Sequence, residues 1–164
     1  MRIWLGLLAF IVTASLSHSA FANPVWTENG ASCVPVGTTG VNVSAGAVTA
    51  GSGTTVILYC PVVRSDVNGS SVTTLGIIYK GNVAANVNTT AEFVEMSRTT
   101  GVETIKGTVV STGSSTIVAQ LANVSAGINF NNNFYYVRVI LKSGTIVGQL
   151  QTIYGVSLCT SFVC

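Results

Sequence analysis

Residues 134–142 read FYYVRVILK, and this stretch decides the predicted fold. Successive side chains of a β-strand point to opposite faces of the sheet. One face of the stretch carries Tyr135, Val137, Val139 and Leu141. The other face carries Arg138 and Lys142, beside Phe134, Tyr136 and Ile140. Because unpaired charges are rarely buried, the first set is the predicted core face of a half-buried strand.

Similar β-rich runs, separated by Gly/Asn turns, fill the chain on the N-terminal side of this strand and follow it to the C-terminus. The candidate strands are Val41–Thr49, Thr54–Val63, Ser71–Lys80, Ala91–Ser97, Val102–Ser111, Ser115–Val124, Phe134–Lys142 and Thr145–Leu158. Short strands at this spacing predict an all-β fold, an antiparallel β-sandwich of about 7–8 strands stapled by disulfides. The dipeptide Ser143-Gly144 predicts a hairpin between the last two strands.

The first residues have the pattern of a cleavable export signal. Met1 and Arg2 precede the uncharged run Ile3–Leu16, and Ala20-Phe21-Ala22 supplies the small residues of a cleavage site. The apolar run is shorter than the roughly 20 residues that a membrane-spanning helix needs. We therefore expect residues 1–22 to be a bacterial signal peptide and residues 23–164 to be a single β-sandwich domain. The predicted location is secreted or periplasmic.

Charged residues are scarce. They make up 7% of the chain, against about 25% in ordinary soluble domains. Without the signal peptide the net charge is about +1, and the two signs are interspersed. The sequence lacks the basic stripe typical of nucleic-acid binding and the polybasic patch typical of membrane surfaces. We expect no nucleic-acid partner and no membrane insertion after processing.

The four cysteines are Cys33, Cys60, Cys159 and Cys164. An even number in an exported chain predicts two disulfides, and three pairings are possible. The local pairing, Cys33–Cys60 with Cys159–Cys164, is favoured, and the crossed pairings stay open. A zinc site is disfavoured because Cys33 and Cys60 lie too far apart for a close-set ligand pair.

Catalytic chemistry is limited by what the exported chain lacks. The single histidine, His18, lies in the predicted signal peptide, which excludes Ser-His-Asp and Cys-His catalysis. A glycosidase needs two carboxylates, and the available ones are Asp66, Glu92, Glu95 and Glu103. Glu92 and Glu103 lie on neighbouring candidate strands and form the pair to inspect, whereas Glu92 and Glu95 point to opposite faces. We expect no catalytic residue, no cofactor and no metal, and we interpret Asp66–Ser70 as a plain turn.

Three short motifs resemble those of an uncharacterised family of small exported bacterial proteins. They are Cys33-Val34-Pro35, Leu58-Tyr59-Cys60-Pro61-Val62 and Phe134-Tyr135-Tyr136-Val137-Arg138-Val139. The resemblance implies a β-sandwich and a Cys33–Cys60 bridge, and it implies no catalytic residue. The additional cysteines, Cys159 and Cys164, depart from that family.

The leading functional hypothesis is an exported, non-enzymatic β-sandwich that acts by surface interaction or as an envelope component, with an unknown protein or glycan partner. The alternatives are a carbohydrate-binding module and a pilin-like subunit completed by strand addition. Ordered, exposed aromatic side chains would distinguish the carbohydrate-binding module.

Overall fold

A computed structural model of the chain describes residues 24–37, 39–64, 71–146 and 148–160. The predicted signal peptide, the Asp66–Ser70 turn and Cys164 lie outside these residues. Eleven strands are described: β1 (Trp26–Asn29), β2 (Val34–Val36), β3 (Val41–Ser44), β4 (Ala47–Ala50), β5 (Thr55–Pro61), β6 (Ser71–Gly81), β7 (Asn88–Ser97), β8 (Glu103–Val110), β9 (Ser114–Gly127), β10 (Asn133–Lys142) and β11 (Thr152–Cys159). A short 3₁₀ helix, Gly30–Ser32, links β1 to β2.

The strands form two antiparallel sheets that pack as a sandwich, which confirms the predicted fold class. Sheet I has the order β3-β4-β11-β6-β9, and β1 also pairs with β11. Sheet II has the order β2-β5-β10-β7-β8. Within the described residues, no helix has the length and apolar composition needed to cross a membrane.

The core lies between the sheets and is built from alternate residues of their strands. On β10 the predicted core face is confirmed, since Tyr135, Val137, Val139 and Leu141 are all buried. Sheet I contributes Leu75, Ile77, Tyr79, Ile153 and Leu158 from its two central strands. Each such aliphatic side chain contributes about 1.5–3 kcal/mol by burial. Leu75, Ile77 and Tyr79 of β6 alternate in the same way, whereas the buried positions of β11 shift by one residue at a bulge after Ile153.

The strand count exceeds the prediction for two reasons. The predicted single strand Val41–Thr49 is in fact two strands, β3 and β4, joined at Ala45-Gly46, where both residues have positive φ. Such a two-residue turn gives a tight hairpin, and Ser44 is accordingly paired with Ala47. In addition, β1 and β2 are too short to give a periodic signal, and β2 contains Pro35.

The predicted hairpin at Ser143-Gly144 is wrong. Both edges of β10 are already occupied, by β5 and β7, so the chain crosses to sheet I and forms β11 only from Thr152.

Buried polar groups stabilise this crossing between the sheets. Ser143 Oγ donates to the Ala50 carbonyl (3.0 Å) and accepts from the Gln151 backbone N–H (2.8 Å). The Gln151 side chain accepts from Thr89 Oγ1 at 3.1 Å and donates to the Asn82 carbonyl at 2.9 Å.

Candidate functional site

The outer face of sheet II carries a line of large side chains from β10. Phe134, Tyr136 and Arg138 are alternate residues, and they point outward because the residues between them fill the core. Strand β5 places Tyr59 opposite Arg138, and the Tyr59 and Tyr136 rings lie 5.2 Å apart between centroids. We call the surface formed by Tyr59, Phe134, Tyr136 and Arg138 the aromatic face.

Arg138 joins the two carboxylates singled out in the sequence. Its Nε and Nη2 atoms each lie 2.7 Å from Glu92 Oε2, and Nη1 lies 3.0 Å from Glu103 Oε2. Glu92 is directly opposite Arg138 on β7, whereas Glu103 comes from β8. Glu92 and Glu103, the pair singled out for inspection in the sequence, therefore bind the same guanidinium.

These contacts shift the pKa values of two groups on the aromatic face. The hydrogen bond to Glu92 raises the pKa of Arg138 above its usual range, against the opposing effect of burial. Burial raises the pKa of Tyr136, and the hydrogen bond that its hydroxyl donates to Glu103 raises it further. Arg138 therefore stays charged, and Tyr136 stays neutral, well above neutral pH.

An apolar groove runs along one end of the aromatic face. Its volume is about 360 Å³, and it lies between β2 and the N-terminal end of β10. Val34, Tyr59 and Pro61 line one part of it, and Phe134 and Tyr136 line another. Val34 pairs with Tyr59 in the sheet and is 62% exposed. The groove therefore presents aromatic and aliphatic surface to solvent beside a cluster of charged groups.

Phe134 is an exposed aromatic residue that contacts an arginine. Its side chain is 46% exposed, and the Arg98 guanidinium carbon lies 4.3 Å from the ring centroid. An arginine over an aromatic ring is held by the ring quadrupole, at about 0.5–1 kcal/mol in an exposed site. This contact covers part of the ring and fixes its orientation at the end of the groove.

Glu95 lies on the opposite side of β7 from Glu92, as predicted. It accepts a hydrogen bond from the Tyr135 hydroxyl at 2.9 Å and pairs with Lys106 at 3.4 Å. The Tyr135 hydroxyl also accepts from the Asn129 backbone N–H at 3.0 Å. These contacts satisfy polar groups at the open end of the sandwich and give Glu95 a structural role.

A second concave surface lies on the outer face of sheet I. A hollow of about 610 Å³ includes Lys80, Thr152 and Tyr154, and a neighbouring one of about 400 Å³ shares Tyr154 with it. Tyr154 is the extra residue of a β-bulge, since its neighbours Ile153 and Gly155 pair with consecutive residues of β6. This surface was not predicted from the sequence. The bulge changes the direction in which the Tyr154 side chain points.

The disulfide implied by the family resemblance is present. Cys33 and Cys60 are bonded and buried, which ties the start of β2 to β5. Cys159 is also disulfide-bonded, and Cys164, its predicted partner, lies outside the described residues. Among the residues described, no cluster of histidine, cysteine, aspartate or glutamate is placed to hold a metal ion.

Comparison with known proteins finds similarity in structure alone. No protein-family model matches the chain, and no curated sequence does. A carbohydrate-binding module of lichenase 5A from Cellvibrio mixtus, solved with cellotriose, is similar with a TM-score of 0.53 at 10% identity, over 85% of this chain and 99% of that one. A family 29 carbohydrate-binding module from Piromyces equi gives a TM-score of 0.42 at 9% identity, over 83% and 91% of the two chains. The first of these similarities supports the β-sandwich fold.

Proposed function

We propose that this protein is an exported, non-catalytic carbohydrate-binding β-sandwich, and that the aromatic face binds a neutral polysaccharide chain. The observation that carries the proposal is the placement of Tyr59, Phe134 and Tyr136 beside charged hydrogen-bonding groups on one side of sheet II. This is the specific form of the broader hypothesis that the chain acts by surface contact. The structural similarity to the Cellvibrio mixtus module, which was solved with cellotriose, supports the fold on which it rests.

A sugar ring has an apolar C–H side and a rim of hydroxyls, and both have counterparts on this face. The Tyr59 and Tyr136 rings and the exposed Val34 side chain provide apolar surface for the first. Carboxylates and a guanidinium provide charge-assisted hydrogen bonds for the second. Sites of this kind combine mostly apolar walls with a few fixed polar groups.

The charge of the face argues for a neutral ligand. Arg138 contributes one positive charge, and Glu92 and Glu103 contribute two negative charges within 3.0 Å of it. Arg98, which lies over Phe134 on the same face, balances the remaining negative charge, so the face as a whole is electrically neutral. It therefore offers a polyanionic sugar chain no net positive charge. The same pairing argues against hydrolysis, because the Arg138 guanidinium occupies the space between the two carboxylates, where a glycosidase must hold the sugar bond that it cleaves. Glu92 and Glu103 share this one cation on an outer surface and do not line the groove.

Export is part of the proposal and has its own support. Disulfides persist in oxidising compartments and are rare in the cytosol of most organisms. The buried Cys33–Cys60 bond therefore supports an extracellular or periplasmic location. Cleavage of residues 1–22 remains a prediction, and mass spectrometry of exported material tests it by the mass of a chain that begins at Asn23.

The test of glycan binding uses tyrosine variants on the two outer faces. Binding to cellulose, xylan and mixed-linkage β-glucan is measured by pull-down and by affinity electrophoresis. We expect the wild type to bind at least one of these neutral polysaccharides, and Tyr136→Ala to weaken that binding by about tenfold, the value of one lost stacking contact.

The matched control is Tyr154→Ala, which removes a partly exposed tyrosine from sheet I. We expect this variant to bind like the wild type. If Tyr154→Ala abolishes binding and Tyr136→Ala leaves it intact, the site is on sheet I and the aromatic face is the wrong assignment. If no neutral polysaccharide is bound by the folded protein, the proposed function is wrong.

A further inference from the structure

The larger hollow on the outer face of sheet I contains a lysine that has no charged partner. Its volume of about 610 Å³ lies within the roughly 300–1,000 Å³ of ligand pockets. Of the described residues that line it, Lys80 alone is charged. Arg138 and Lys106 each form a salt bridge, whereas Lys80 forms none with any described residue. Its exposed ammonium group is therefore available to an anionic ligand.

Strand pairing places Lys80 beside two threonine hydroxyls. Thr152 of β11 is paired with Lys80 of β6 on one side and with Thr49 of β4 on the other. A neighbour in sequence of each of these residues is buried in the core, so all three side chains lie on the outer face. Opposite side chains of an antiparallel pair have Cβ atoms about 4.5–5.5 Å apart. The three positions therefore form one row along the hollow.

The two threonines retain a hydroxyl proton that a ligand can use. Thr49 Oγ1 and Thr152 Oγ1 lie 2.9 Å apart and share one hydrogen bond. Each hydroxyl carries one proton, so this bond uses one proton and leaves the other. Among the described residues, neither hydroxyl has a second hydrogen-bond partner. A ligand oxygen beside this pair can accept a hydrogen bond next to the positive charge of Lys80.

Buried polar groups fix the end of the strand that carries Lys80. The Asn82 backbone N–H donates to the Gly148 carbonyl at 3.1 Å, and the Asn82 carbonyl accepts from the buried Gln151 side chain at 2.9 Å. Both Asn82 and Gly148 line the hollow. The backbone on this side of the hollow is therefore held in place without a ligand, which is usual for binding sites.

The acidic residue of the neighbouring hollow is too distant to neutralise Lys80. Glu28 lines that hollow, and Tyr154 lies in the lining of both. Glu28 is paired with Val156, on the edge of β11 opposite to Lys80. Its Cα atom is separated from that of Lys80 by two strand spacings, about 9.5 Å, and by roughly 10 Å along the strands. This separation exceeds the Debye length of about 8 Å at physiological salt.

We propose that this hollow binds a carboxylate-bearing sugar, a uronic acid residue of an acidic polysaccharide. The ammonium group forms a charge-assisted hydrogen bond with the carboxylate, and the hydroxyl-rich lining matches the hydroxyls of the sugar ring. The lining hydroxyls belong to Ser44, Thr49, Ser114, Ser115, Thr152 and Tyr154. A phosphate group, with a charge of about −1.5 to −2 at neutral pH, is matched less well by one ammonium group than a single carboxylate is.

The site is distinct from the aromatic face and does not rest on the proposed function. The two surfaces lie on different sheets, and the aromatic face offers an acidic chain no net positive charge. The two sites therefore differ in ligand class, neutral on sheet II and acidic on sheet I. Failure of the neutral-polysaccharide assay leaves the acidic assay interpretable, and the reverse is also true.

The test measures binding of the folded full chain to polygalacturonate and to alginate, two polymers of uronic acids, by affinity electrophoresis. Lys80→Gln removes the charge and keeps a side chain of similar length. The matched control is Lys142→Gln, which removes the same charge from an exposed lysine on the outer face of sheet II. Both variants have the same net charge, so a difference between them reports the position of the lysine.

We expect the wild type to bind at least one of the two polymers and Lys142→Gln to bind like it. Lys80→Gln should weaken binding by at least about tenfold, the effect of one lost charge-assisted hydrogen bond. Equal weakening by the two variants would reduce the effect to general charge attraction and overturn the site. A wild type that binds neither polymer overturns the proposal.

Two further measurements identify the chemical group and the hollow. Fully methyl-esterified polygalacturonate keeps the sugar ring and loses the charge, so the wild type should bind it at least about tenfold more weakly. Dextran sulfate should bind less tightly than the uronate polymers, and equal or tighter binding that depends on Lys80 would overturn the carboxylate assignment. Thr152→Val keeps the shape of the side chain and should weaken uronate binding by about two- to tenfold. Unchanged binding by this variant would place the carboxylate outside the row of Thr49, Thr152 and Lys80.

Discussion

Removing the Cys33–Cys60 bond should strongly destabilise the protein and open the groove on the aromatic face. The perturbation is the double substitution Cys33→Ala and Cys60→Ala. Alanine is preferred to serine because both sulfurs lie in side chains that are 3% exposed or less. A hydroxyl there would add the cost of a buried polar group. Substitution is preferred to a reducing agent because Cys159 is also disulfide-bonded.

The magnitude follows from the length of the closed loop. The two cysteines are 27 positions apart. In the chain-entropy model a loop of this length gives about 3.5 kcal/mol of stability at 25 °C through the unfolded state. The shortened side chains add a packing loss, so we expect the free energy of unfolding to fall by about 3–5 kcal/mol. That is a large part of the roughly 5–15 kcal/mol of a typical domain.

The assay is equilibrium unfolding in urea, followed by circular dichroism. A stability loss below about 1 kcal/mol would refute the reasoning, because the loop-closure contribution would then be absent. Hydrogen exchange supplies the local readout. Val34 follows Cys33 in the chain and pairs with Tyr59, the neighbour of Cys60. Amide protection in β2 should therefore fall more than in β10, and polysaccharide binding should weaken with it.

Two further predictions concern packing and pH. A Cβ added at Gly107 would lie 2.0 Å from Val124 Cγ1, so Gly107→Ala should lower the free energy of unfolding by about 1–3 kcal/mol. The control Gly127→Ala meets no atom within 4 Å and should change it little, and thermal unfolding of both checks this. The pKa of Tyr136 is raised by folding, so its contribution to stability is complete below the unfolded value near 10 and declines as pH rises above it. Urea unfolding from pH 8 to 11 should show this decline, and Tyr136→Phe should flatten it; an unchanged slope in the variant would contradict the assigned role of the hydroxyl.

The sequence predicts the central strands well because their alternation is set by burial. Val56, Leu58 and Cys60 of β5 share a buried face, as do the four apolar residues of β10. Prediction failed where a tertiary constraint prevailed over local pattern. Thr145–Leu158 has strand composition throughout, yet its first part forms the crossing between the sheets because Gln151 and Ser143 hold it there.

The candidate site was predictable in part for the same reason. Alternation alone places Phe134, Tyr136 and Arg138 on one outer face of the sheet. The contact between Tyr59 and Tyr136 depends on the pairing of β5 with β10, which brings together residues far apart in sequence. The bulge that displays Tyr154 is likewise set by the register of β11 on β6. Strand order and register are long-range properties that periodicity within one strand does not contain.

The distribution of charge differs between the two sheets. A chain with only 7% charged residues has few with which to protect its edges and keep itself soluble. Sheet II holds Arg138, Glu92 and Glu103 on one face, and it holds Lys106 with Glu95 near the other. In sheet I the edge strand β9 has no charge at all. It is protected instead by two register shifts in its pairing with β6 and by a contact with β8, because Gln120 Nε2 donates to the Val110 carbonyl at 2.6 Å. Charges can therefore be concentrated on sheet II, where Arg138, Glu92 and Glu103 lie beside the aromatic side chains of the proposed binding face.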